Sequence, residues 1–171
     1  MNVRLFGILF CAIFLTACSG TTEKQIVKTP ILKLKASGPF FQGPNTATAQ
    51  WSFALDDLFT NQDGDEITIE DAHISNIEIM PVNGESYPEI GKVVMEMKSK
   101  NTSMKRIGLL DTNLDTTKKN NLSVAEIQED FEEAFADNEI IFVADFDILD
   151  QEYYDDINFE LLLTFQIETS K

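Results

Sequence analysis

Beyond residue 18 the chain contains no cysteine; the two it has are Cys11 and Cys18. Disulfides, thiolate metal ligands and a cysteine nucleophile are therefore excluded from nearly its whole length. Histidine occurs once, at His73, so a zinc centre of the His/Cys kind lacks its ligands. Arginine is confined to Arg4 and Arg106, and 13 Lys+Arg stand against 29 Asp+Glu, a formal net charge of −16. The basic footprint that nucleic acid requires is missing, and so is one for anionic lipid. No P-loop, G-x-G-x-x-G or G-x-S-x-G occurs. Strands do not alternate with helices, which disfavours Rossmann-like and TIM-like folds. No apolar run approaches the ~20 residues of a membrane-spanning helix.

What the chain does have is apolar substance. It is 43% hydrophobic and carries thirteen Phe in 171 residues, enough for the core of one domain. Its first residues, "MNVRLFGILFCAIFLTA", place Arg4 before an apolar run from Leu5 to Leu15, with small Ala17 at the end. This is the pattern of a secretory signal. The following "Leu15-Thr16-Ala17-Cys18" resembles the lipobox of bacterial lipoproteins. The resemblance implies that residues 1–17 are removed and that Cys18 is acylated as the new N-terminus. Its covalent lipid would anchor the protein to a membrane, since each buried methylene contributes ~0.8 kcal/mol. Ser19, where inner-membrane lipoproteins have Asp, implies the outer membrane. A single acidic residue, Glu23, in "SGTTEK" leans toward the periplasmic side rather than the cell surface. Residues 18–29 read as the lipidated cysteine and a flexible tether, and residues 30–171 as one domain.

Within that domain the period-2 signal dominates. Leu32, Leu34 and Ala36 alternate with Lys33 and Lys35, and Ala47, Ala49, Trp51, Phe53 and Leu55 share one strand face. "ITIEDAHISNIEIMPV" (67–82) slips its alternation between Ile74 and Ile77, which predicts a bulge. Val93, Met95 and Met97 point inward from the next strand. Two long C-terminal strands follow, one with Ile140, Phe142, Ala144, Phe146 and Ile148 on a face, the other with Ile157 to Ile167 at every second position. Joined by "DQEYYDD", they read as an antiparallel pair. "NLSVAEIQEDFEEAFADNE" offers Ser123 and Glu126 as a capping box and Ile127, Phe131, Ala134 and Phe135 as an apolar stripe, predicting a helix over about 123–137. The expected fold is mainly β: an antiparallel β-sandwich of about seven or eight strands, with that helix in a connection. A small barrel, or an open sheet packed on the helix, is the alternative.

Two acidic stretches are the candidate cation sites. Asp63 and Asp65 lie in the loop 61–66, where Ca²⁺ could find oxygen ligands; an EF-hand does not fit, because Phe59 would occupy its first ligand position. Asp145 and Asp147 share a strand face, where two neighbouring carboxylates repel or recruit a cation. Turn chemistry and solvated edges explain both stretches without a metal. Tyr153 and Tyr154 in the acidic connection are the candidates for stacking on a sugar, whereas Trp51 fits a core. Asp71, His73 and Ser75 share one face of a strand, a placement that does not readily make the contacts of a hydrolytic triad. No nucleophile–base set emerges. The expected function is a non-enzymatic binding or structural module with an envelope protein or glycan partner; the alternative is a calcium- or carbohydrate-binding surface module using 61–66 and 145–156.

Overall fold

The computed structural model describes residues 22–59, 67–82, 85–129 and 131–170. Cys18, Asp63 and Asp65 lie outside these residues. The strands are β1 (Glu23–Lys28), β2 (Leu32–Ala36), β3 (Phe40–Ser52), β4 (Thr68–Pro81), β5 (Ile90–Lys98), β6 (Lys105–Leu110), β7 (Asn120–Asn121), β8 (Ser123–Val124), β9 (Glu139–Tyr153) and β10 (Ile157–Ser170). Two short helices, α1 (Leu55–Leu58) and α2 (Phe131–Ala136), accompany them. The class is mainly β and antiparallel, as the alternation predicts. All ten strands join one sheet, nine of them in the order β7-β4-β10-β2-β3-β9-β5-β6-β8. β1 pairs with the C-terminal half of β10, on the edge whose other half β2 occupies. The facing layers of the expected sandwich are thus walls of a single coiled sheet.

That sheet nearly closes on itself. Asn121 and Asn120 pair with Glu78 and Ile79 of β4, while Ser123 and Val124 pair with Leu109 and Gly108 of β6. Between them the Leu122 amide donates to the Ile77 carbonyl at 3.0 Å, and the Ala125 amide to the Ile107 carbonyl at 2.9 Å. One short segment therefore satisfies two otherwise open edges, which is how barrels avoid unpaired backbone. A Cβ at Gly108 would stand 2.7 Å from the Ile77 side chain, so glycine keeps this junction tight.

The alternating residues named above fill the interior. Ile140, Phe142, Ile148, Ile157, Leu161, Leu163, Phe165 and Ile167 are fully buried. Trp51 lies in the core, with its ring 5.9 Å from Phe165 and 6.0 Å from Phe135 of α2. The void lined by Leu34, Ile79, Ile90, Val93 and their neighbours measures about 10 Å³, too little for a ligand. The predicted bulge is present: Asn76 pairs with Thr164 and Ile74 with Phe165, leaving Ser75 extra.

Three expectations are corrected. The helix covers Phe131–Ala136 and not 123–137; Ser123 is in β8 and Ile127 is 77% exposed. Pairing wins here because β4 and β6 need partners, and a buried backbone group left unmade costs about 1–3 kcal/mol. Gln128 completes the same job: its Oε1 accepts from the Ile74 amide at 2.6 Å and its Nε2 donates to the Ile74 carbonyl at 3.0 Å. Second, β9 and β10 do not pair with each other, because β2 and β3 lie between them. Third, residues 23–28 of the expected tether form β1. Val27 is buried there, and Thr29 exchanges hydrogen bonds with Leu163 at the join to β2.

Candidate interaction surface

Strand register gives the sheet two ends. Glu23 of β1 lies opposite Thr169, Ser170 opposite Thr68 and Ser52 opposite Glu139, so these termini share the near end, where the chain enters. Ala36 lies opposite Ile157, Phe40 opposite Tyr153 and Ile90 opposite Ile148, and these form the far end. β10 runs from one to the other, roughly 40 Å at ~3.4 Å per residue.

The far end is built on two interlocked turns, residues 37–39 and 154–156. The Gly38 amide donates to Asp156 Oδ1 at 3.1 Å. A Cβ at Gly38 would stand 2.7 Å from the Tyr154 carbonyl oxygen and 3.0 Å from that of Asp155, so only glycine fits. Tyr87 braces the adjacent segment. Its hydroxyl donates to the Asn158 carbonyl at 2.6 Å and accepts from the Val82 amide at 2.7 Å, and its ring stacks on Phe159. Burial pushes the Tyr87 phenol above its ordinary range.

Tyr153 and Tyr154 do not form one stacking platform. Tyr153 is half-buried, its ring stacked on Phe40 and its hydroxyl donating to the Ser86 carbonyl at 2.6 Å. Tyr154 is 70% exposed and donates its hydroxyl to Glu152, which raises the phenol's pKa. The carboxylates of this region serve as acceptors. Asp145 takes the Thr46 hydroxyl at 2.8 Å, and Asp150 takes the Glu89 amide at 2.8 Å. Asp145 and Asp147 lie on the outer face of β9 opposite Thr46 and Pro44. Among the described residues no group of three or more His, Cys, Asp or Glu is arranged to hold a metal ion.

Two exposed apolar side chains share this end with Tyr154: Phe41 at 59% and Leu149 at 41%. Phe41 lies opposite Glu152, and Leu149 rests over Gly91. Phe41 had a signal in the sequence. Two adjacent Phe in a strand point to opposite faces, so Phe40 in the core sends Phe41 outward.

At the near end, Lys24, Gln25, Ile26, His73, Gln166 and Glu168 line an open groove of about 400 Å³. His73 Nε2 is 2.6 Å from Asp71 Oδ2, and the Ser75 hydroxyl donates to the Thr164 carbonyl. His73 and Asp71 face each other while Ser75 is engaged elsewhere, so the three do not form a relay. Comparison with protein-family models, curated proteins and solved structures finds no match to this chain.

Proposed function

We propose that this protein is a lipid-anchored lipoprotein of the cell envelope, held in the outer membrane on its periplasmic side, and that its domain is a non-enzymatic binding module. The observation that carries the anchor is Leu15-Thr16-Ala17-Cys18 behind the apolar run Leu5–Leu15. The start of β1 at Glu23 adds a geometric consequence. Four residues lie between Cys18 and Glu23, so the sheet starts at most roughly 18 Å from Cys18 even with these extended. The near end would then sit against the bilayer and the far end would project from it. A filled interior and exposed apolar groups at the far end support a module that works through its surface. Palmitate labelling tests the reading: label should be incorporated by the wild-type chain and be lost in Cys18→Ala, which leaves the membrane fraction. Labelling that persists in Cys18→Ala would refute it.

A further inference from the structure

The apolar side chains at the far end are largely left to solvent. Phe41, Leu149 and Tyr154 lie on one tip, held on a frame that does not depend on them. Phe40, beside Phe41, is buried against Phe146 and Tyr153. Gln42 donates to the Leu149 carbonyl, and Asp156 fixes the turn at Gly38. An apolar group displayed on a hydrogen-bonded frame is preorganised, which lowers the entropy lost on binding.

The charge around the patch selects its partner. Glu152 lies opposite Phe41 and accepts from the Tyr154 hydroxyl, and Asp147, Asp150, Asp155 and Asp156 share β9 and its turn. Lys92, next to the Gly91 on which Leu149 rests, is an exposed cation on the neighbouring strand, and the five carboxylates outnumber it. Tyr153 is stacked inward on Phe40, so it does not join Tyr154 in a platform for a sugar. An apolar centre with an acidic rim instead complements a segment that is apolar and basic. We propose that the far end, centred on Phe41, Leu149 and Tyr154, docks a basic protein segment carrying apolar side chains.

This proposal rests on the reading of the domain as a binding module and not on the lipid anchor, so palmitate labelling and the following test fail independently. A random peptide library is selected on the immobilised full chain. The expected winners combine Lys or Arg with Leu, Phe or Trp. Their synthetic versions should bind about tenfold or more weakly to Phe41→Ser and Tyr154→Ser, as for residues at the centre of an interface. Binding should weaken with added salt and in Glu152→Gln/Asp155→Asn, while Ile26→Ser at the near end leaves it unchanged. All these positions are exposed, so the variants should keep the wild-type melting temperature, and that is measured on each. Neutral or acidic winners, no enrichment at all, or equal loss in Ile26→Ser would overturn the proposal.

Discussion

Replacing Gln128 by Ala removes the two hydrogen bonds by which its amide pairs with Ile74, at 2.6 and 3.0 Å, and a third to the Ala125 carbonyl at 3.1 Å. Ile74 is 2% exposed, so water replaces these partners poorly. Leaving a buried donor or acceptor unmade costs about 1–3 kcal/mol. Taking about 2 kcal/mol, the melting temperature should fall by roughly 4–8 °C for a chain of this length. Amide exchange at Ile74 should accelerate by about thirtyfold, the same free energy expressed as a rate ratio. The neighbouring change Ile127→Ser removes a side chain that is 77% exposed and should shift stability by no more than about 0.5 kcal/mol. A helix over 123–137 demands the reverse. Ile127 would then belong to its buried stripe and cost about 2 kcal/mol, while Gln128 would be neutral. A costly Ile127→Ser beside a neutral Gln128→Ala would refute the strand-like closure of the sheet.

Gly38→Ala should destabilise by about 1–3 kcal/mol, because its Cβ meets backbone oxygens that cannot step aside; an unchanged melting temperature would contradict the interlocked turns. Thermal stability should decline as pH falls from about 4 toward 2. Asp115, held down to about 2 by the Thr117 hydroxyl, Lys118 and the Thr117 amide, contributes stability above the ordinary carboxylate range that is lost as it protonates. Asp137, lowered chiefly by the Ser99 hydroxyl, has the same sign. Melting curves of Asp115→Asn should therefore show a shallower acid slope, and a steeper one would reverse the reasoning. In lipid vesicles, a fluorophore at position 25 should be quenched by headgroup-attached quenchers and one at position 154 should not. Equal quenching at both would contradict the near-end attachment.

The period-2 face pattern was legible wherever one wall of the sheet meets the core. Leu34, Trp51, Met95, Phe142 and Phe165 all stand where alternation places them, and the slip at Ile74–Ile77 is a real bulge. Alternation states which face a residue takes but not which strand lies beside it. That is why β9 and β10 looked like a pair although β2 and β3 separate them. The stretch after Leu122 misled for a related reason. Its capping box and apolar spacing are sound local signals, but tertiary demand for edge partners exceeds the few tenths of a kcal/mol per residue that helix propensity offers. β1 was hidden because it buries little more than Val27 and is held mainly by its ladder to β10. At the far end, Tyr153 and Tyr154 looked equivalent as neighbours in sequence. The strand's end turns one into the core margin and the other into solvent.

Cys18 is proposed as the lipidated first residue, and the sheet begins five residues later. Mass spectrometry of the N-terminal peptide from the membrane-extracted protein tests it most directly. The peptide should begin at Cys18 and carry the added mass of a diacylglycerol and an N-acyl chain. A peptide beginning at another residue, or an unmodified Cys18, would contradict it.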